Sequence, residues 1–386
     1  MSLEEHLGAL LAQVGPLDPL DITLREAIGC QLVGDVAAPG PLPHYARAAI
    51  SGYAARSADL ATPAGLKVVD DVHPGFAAGQ PVYAGVTVRL AAGSPLPTGA
   101  DCVVPGPPAA TGSTVELPGG AHPGDGITEV GAVAAEGQVV LRDGSVIGAA
   151  AVGLLALLGV VRVGVRPRPR VVVVTVGNEL APTGSPATPG LVNDAAGPLL
   201  VAAAEEVGAV PYRVGPIAYD DRDIHTAIDD QLIRADLLVI VGETGPTSRL
   251  RVQLDTLGSV SYDEGSTDLG VFGHGVVGDI EHIPVLVLPS EPVAAALLFA
   301  ALAVPLIHTM RGVRGAPPVQ VQVSAAIPRT AVTQLVPARR EDAGVRPLLR
   351  PTLVDLTTAD VLLRVLPGSG EQPAGASVPA LPLRST

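Results

Sequence analysis

One stretch, residues 170–200, constrains this chain more than any other. Residues 171–175 read Val-Val-Val-Val-Thr, a β-branched run too apolar for a strand with a solvated face. A tight turn follows at Gly177-Asn178-Glu179, and an Ala/Leu/Val-rich helix begins after Asn193-Asp194. Strand, glycine turn and helix in this order present a ligand site at the carboxyl end of a parallel strand. The pattern repeats downstream. Further strands are expected at 211–214, 237–241 and 285–288, and helices near 195–207, 222–234, 250–257 and 293–310. The α/β multidomain fold this predicts is centred on a three-layer, doubly wound αβα domain with a parallel sheet.

The flanking texture differs. Residues 1–40 are expected to be helical, with Leu24, Ala27, Ile28 and Leu32 on one face. Short β-like runs at 66–69, 86–91, 103–104 and 114–117, separated by Gly and Pro, predict an inserted β-rich domain over 41–135. A helix returns at 149–158, after a Val-Val-Leu run at 139–141. Arg166-Pro167-Arg168-Pro169-Arg170 reads as a stiff, extended linker. The expected domains are therefore 1–40 with 136–167 (N-terminal helical linker domain), 41–135, 168–313 and 314–386. The last is read as a small β domain with strands at 319–323, 353–356 and 361–365, and a frayed Pro/Gly/Ser-rich end over 367–386.

Composition narrows the function classes. A chain of 386 residues with 47% hydrophobic and 16% charged residues is globular and divided into domains. Its formal charge of −14 argues against nucleic acid and anionic membranes, both of which need clustered Lys or Arg. Cys30 and Cys102 form no CxxC and read as buried thiols. The apolar run at 149–165 is interrupted by Gly153, Gly159, Arg162 and Gly164, short of the roughly 20 apolar residues of a membrane span. The acidic N-terminus lacks the basic region of a signal peptide, so a soluble cytoplasmic protein is expected. The histidines show no HxH or HxxxH spacing for zinc, and there is neither a GxGxxG nor a P-loop. Ser51 and Ser290 have no adjacent His and do not read as nucleophiles.

Four motifs then occur in order: Leu20 to Val36 (LDITLREAIGCQLVGDV), Ala48 to Ala54 (AAISGYA), Gly93 to Val104 (GSPLPTGADCVV) and Thr175 to Leu180 (TVGNEL). Together they resemble the molybdopterin molybdenumtransferases, the molybdenum insertases that include the gephyrin E domain. In that family the second motif is Ser-Ala-Met-Asp-Gly-Tyr-Ala, the third Gly-Ala-Pro-x-Pro-x-Gly-Ala-Asp-x-Val-Val and the fourth Thr-Gly-Asp-Glu-Leu. The resemblance covers essentially the whole chain. It implies a four-domain protomer, a homodimer with residues of both chains at the active site, and insertion of molybdate into adenylylated molybdopterin. AMP is released, and a divalent cation (magnesium) assists.

Carried over residue by residue, the motifs are altered. The signature Asp is Ser51, and an acidic position of the inserted domain is Val133. Asp-Ser-Asn becomes Asp194-Ala195-Ala196, and Ser-Gly-Gly becomes Val241-Gly242-Glu243, with Ser248 about where an Asp belongs. Pro-Gly-Lys-Pro becomes Ser266-Thr267-Asp268-Leu269, and Pro-Gly-Asn-Pro becomes Pro289-Ser290-Glu291-Pro292. The resemblance thus carries catalytic roles onto Glu179, Asp194, Asp220 and Asp221. It carries cofactor-binding positions onto Gly177, Gly242, Ser51 and Ser290.

An anion site needs backbone N–H groups, helix N-termini and a cation. Glu243, Asp268 and Glu291 place acids there instead. Two like charges about 5 Å apart cost about 3 kcal/mol at an effective dielectric near 20. Several such pairs outweigh one hydrogen bond of about 1 kcal/mol. The expectation is an insertase fold with lost or reduced activity, serving as a dimeric binding or regulatory scaffold with a protein partner, as the gephyrin analogy suggests. Two alternatives stay open. One is a working transferase in which Glu179, Asp194, Asp220 and Asp221 position a cation and the pterin adenylate. The other is a binder of a cationic or neutral small molecule in the same cleft. In a metal reading, Asp220, Asp221 and Glu243 recruit magnesium; against it, Asp221 stands in position to cap the helix at 222–234. Glu179 is either a site residue or a turn carboxylate, and Asp101 reads as structural, accepting backbone N–H groups in its turn.

Overall fold

The computed structural model describes residues 3–186, 188–243, 249–254, 276–280, 282–313, 317–342 and 344–383. The chain folds as two compact units, residues 1–33 with 146–148 and 162–386, and residues 34–145 with 149–161.

The first unit is built on β1 (Arg170–Val176), β2 (Val210–Ile217), β3 (Leu237–Gly242), β4 (Val276–Ile280) and β5 (Ile283–Pro289), in the order β2-β1-β3-β5-β4. The first four in that order are parallel, as the βα alternation requires. The expected all-parallel sheet is corrected at one edge, where β4 runs antiparallel to β5. The register runs from Val276 opposite Val287 to Ile280 opposite Ile283, so the chain returns along β5 with the short connection that antiparallel strands allow.

Valines of β1 alternate between two cores. Val171 and Val173 pack with α1 (Ala196–Glu206) and with α4 (Pro292–Leu298). Val172, Val174 and Val176 pack with α2 (Asp221–Leu232) and α3 (Arg249–Leu254). The helix begun by α4 continues through a π-helical turn (Phe299–Ala303) into α5 (Val304–Arg311). Residues 292–311 are long and apolar enough to cross a bilayer, but 67% of the apolar window is buried inside the fold, where it forms the core.

Residues 20–36 do not form the expected helix. Leu20–Thr23 and Gln31–Leu32 pair on either side of Arg162–Arg166 in a three-stranded antiparallel sheet. Between them lies a single turn, closed by Glu26 accepting from Thr23 N–H and Oγ1 (3.1 and 2.7 Å) and ended at Gly29 with φ 80°. The helical spacing of Leu24 and Ala27 belonged to that one turn, while Ile28 is left exposed. A helix does form at Leu3–Gln13, and its Leu10 is buried in the first core. The Arg166–Arg170 link joins two strands inside this unit, and the Arg168 guanidinium donates to the Gly208 and Ala209 carbonyls.

The C-terminal part of this unit is a five-stranded antiparallel sheet in the order Val319–Gln322, Ser377–Pro382, Val361–Val365, Gln334–Glu341, Gly344–Pro347. A Val323–Val345 bridge brings its two edges together. Two expectations are corrected here. Leu353–Leu356 is a helical turn, because Thr352 and Asp355 form a capping box. Ser377–Pro382 is not frayed but an interior strand, paired on both sides with Val378 and Ala380 buried.

The second unit is a five-stranded sheet in the order Cys102–Val104, Gly52–Ala55, Val86–Leu90, Ala64–Val72, Thr114–Leu117, close to the expected runs. Motif residues serve its backbone. A Cβ on Gly52 would run into the Val104 carbonyl of the neighbouring strand. Asp101 accepts from Ser57 N–H and Oγ, bonds outside its own turn. Both cysteines are buried and free, as expected.

Candidate functional site

In the first unit, β1 runs on into α1 on one face of the sheet and β3 into α3 on the other. Adjacent strands whose connections leave in opposite directions open a crevice beyond their carboxyl ends, the usual ligand position in a doubly wound sheet.

After β1, the Gly177 N–H donates to the Ile217 carbonyl (2.9 Å), tying the turn to the end of β2. Glu179 is exposed, and its carboxylate folds back over Gly177, where a Cβ would lie 2.8 Å from either oxygen. Asn178 Oδ1 accepts the Tyr219 N–H (2.9 Å). Glu179 therefore stands on the turn with its carboxylate toward solvent.

Asp194 is different. Its side chain is 1% exposed and accepts from Thr175 Oγ1 (2.8 Å), the Gly197 N–H (2.9 Å) and the Arg213 guanidinium (2.9 Å). Every one of these donors is internal, so the geometry makes Asp194 the buried tie between β1, β2 and α1. Thr175 and Arg213 were not anticipated. Their signals were a hydroxyl ending a valine run and a lone cation inside a strand.

At the end of β2, Asp220 rather than Asp221 is the N-cap of α2, accepting from the Arg222 and Asp223 N–H groups (3.0 and 3.1 Å). The helix starts one residue earlier than its apolar spacing indicated, which leaves Asp221 exposed in the first turn. At the end of β3, Gly242 is buried, and Glu243 just after it is exposed. The Glu243 N–H donates to Tyr219 Oη (2.7 Å). Burial, and then the charges of Glu243 and Glu179, raise the Tyr219 phenol pKa against the opposing effect of that N–H. Both charges thus lie close enough to the phenol to act on it.

After β5, Ser290 is exposed and Glu291 caps α4, accepting from the Val293 and Ala294 N–H groups (3.1 and 2.7 Å). Ser51 lies in the second unit, where its Oγ accepts the Ala92 N–H (3.0 Å). Val133 is exposed in that unit too. Ser248 and Asp268 lie outside the described residues.

Among the described residues no three His, Cys, Asp or Glu side chains are placed to hold a metal ion, and these include Asp220, Asp221 and Glu243. The Asp220 carboxylate is turned onto its helix instead.

Known proteins resemble the chain along its length. Residues 1–159 match the MoeA N-terminal region (domain I and II), and residues 172–309 match a probable molybdopterin binding domain. Molybdopterin molybdenumtransferase 1 of Mycobacterium tuberculosis is 32% identical over 337 residues, covering 81% of this chain and 79% of the relative. Molybdopterin molybdenumtransferase 2 of the same organism is 30% identical over 331 residues, 81% and 80% of the two chains. The fold matches a crystal structure of the molybdopterin biosynthesis MoeA protein from Pyrococcus horikoshii with a TM-score of 0.81 at 23% identity, covering 100% of both chains. With its order of sheets, its switch-point crevice and these relatives, the chain belongs to the molybdopterin molybdenumtransferase family of molybdenum cofactor biosynthesis.

Proposed function

We propose that this member of the family has lost, or keeps only in strongly reduced form, the insertion of molybdate into adenylylated molybdopterin, and acts as a homodimeric binding or regulatory scaffold for a protein partner. The observation that carries this reading is the Glu291 carboxylate on the first N–H groups of α4. Helix N-termini at this edge of a sheet are where a phosphate or oxyanion finds its donors. Here an internal carboxylate holds them, as Asp220 holds those of α2.

An incoming anion has to displace a cap worth about 1 kcal/mol and then sit beside the displaced charge. Two like charges about 5 Å apart at an effective dielectric near 20 add about 3 kcal/mol. A recovered hydrogen bond of about 1 kcal/mol does not offset the sum. A bound cation would reverse that sign, but among the described residues no three acids are grouped for it.

A second reading, a working molybdenum insertase, is favoured by the two mycobacterial relatives, whose names state that activity. The experiment that separates the readings is titration of the purified protein with adenylylated molybdopterin, with and without magnesium, beside an active insertase, together with light scattering. No saturable binding by a folded dimer supports the scaffold. Micromolar, magnesium-dependent binding returns the chain to the transferases, and a clean monomer removes the shared cleft on which the scaffold depends.

A further inference from the structure

Tyr219 occupies an unusual place. It follows β2 by two residues, yet its side chain reaches across β1 to the end of β3. Its hydroxyl accepts the Glu243 N–H at 2.7 Å and lies 3.3 Å from where a Gly242 Cβ would stand, a point equally 3.3 Å from the Val176 carbonyl. Its backbone N–H is held by Asn178 Oδ1 at 2.9 Å, and its ring packs against the core that contains Val176 and Leu250. Val176 ends β1, and Gly242 ends β3. The ring therefore sits in the crevice between the two strand ends from which the chain departs to opposite faces.

We infer that Tyr219 is the gate of this crevice: its ring fills the space a planar ligand would take, and its hydroxyl takes the strand-end N–H that such a ligand would use. Rotated away or removed, it leaves a slot lined by Val176, Gly242 and Leu250, with the Glu243 N–H as donor and the Glu179 and Glu243 carboxylates at the rim. That chemistry suits an uncharged heteroaromatic ring carrying an acceptor atom. It disfavours the same ring with a phosphate attached, because the rim is negative. The inference rests on the reading of the cleft as closed to anions, and extends it to what the cleft would admit.

The test uses the full-length protein, its Tyr219→Ala variant and its Tyr219→Phe variant, with adenosine and AMP as probes. Calorimetry measures affinity, and amide chemical shifts at 177–179 and 242–243 locate the site. Tyr219→Ala should bind adenosine at least tenfold more tightly than the natural protein and should gain less for AMP. Tyr219→Phe, which keeps the ring, should gain nothing for adenosine while the Glu243 amide exchanges faster. If Tyr219→Ala is unfolded by circular dichroism, Tyr219→Val is read by the same criteria. A folded small-residue variant with no gain overturns the gate, and so does crevice binding of adenosine by the natural protein. Tight binding of adenylylated molybdopterin by the natural protein overturns the anion-closed reading and the gate together. Its absence, with no gain on opening, overturns the gate alone.

Discussion

Asp194→Ala is the substitution that best separates a structural from a catalytic use of this residue. Removing the carboxylate deletes three hydrogen bonds, one of them an ion pair, and leaves Arg213 without its carboxylate partner. Breaking a buried pair from one side costs about 3–5 kcal/mol. The Arg213 side chain is 30% exposed, so water recovers part of its solvation, and the lower end, about 3 kcal/mol, applies. The Thr175 hydroxyl, whose residue is fully buried, loses its acceptor and contributes to that figure. For a unit of this size, where 1 kcal/mol shifts the melting temperature by roughly 2–4 °C, the midpoint should fall by about 6–12 °C. Asp194→Asn keeps one acceptor oxygen, enough for either the Gly197 N–H at Oδ1 or the Thr175 hydroxyl at Oδ2, and should lose about half as much. The assay is thermal unfolding followed by circular dichroism, repeated in urea. A fall of less than 2 °C for Asp194→Ala would refute the reasoning and free Asp194 for a role in chemistry.

Three further outcomes are expected. Glu291→Ala removes the cap of α4 and should lower stability by about 1 kcal/mol in urea unfolding. Gly52→Ala forces a Cβ onto the Val104 carbonyl and should destabilise the second unit by about 2–3 kcal/mol, read by limited proteolysis within residues 34–145. Burial raises the Cys102 thiol from 9.0 to about 11, helped by the nearby Asp101 charge. The folded thiol thus stays protonated where the unfolded one ionises. Its contribution to stability is complete below pH 9 and declines from pH 9 to 11, and a Cys102→Ala variant should show a shallower loss over that window.

Much of the central sheet was legible because its strands are buried on both faces and read as unbroken apolar runs, residues 237–241 among them. The inserted sheet was legible from its punctuation. Where the reading failed, the deciding signal was local polar chemistry or long-range pairing. Leu353–Leu356 is apolar enough for a strand, but the exchange between Thr352 and Asp355 closes it into a turn. Ser377–Pro382, in a Pro- and Gly-rich tail, is a strand only because Val319–Gln322 and Val361–Val365 flank it. Residues 20–36 have helical spacing, yet Arg162–Arg166, more than a hundred residues later, draws them into a sheet.

The site divides in the same way. By itself the sequence determined the family, through four motifs in order, and it determined the sign of the charge in the loops, since an acid in place of a glycine is visible without coordinates. The residues carrying the strongest motif matches, Gly52 and Asp101, turn out to serve backbone packing, so the motifs reported the scaffold. Only the tertiary structure decided what each acid does. Asp194 is tied to Arg213, Asp220 and Glu291 close helix ends, and the charges of Glu243 and Glu179 act on the Tyr219 phenol. Partners of this kind are set by which strand ends lie side by side in the sheet. The order β2-β1-β3 brings residues 178, 219 and 243 within hydrogen-bonding reach, and that order is fixed by packing across the whole domain.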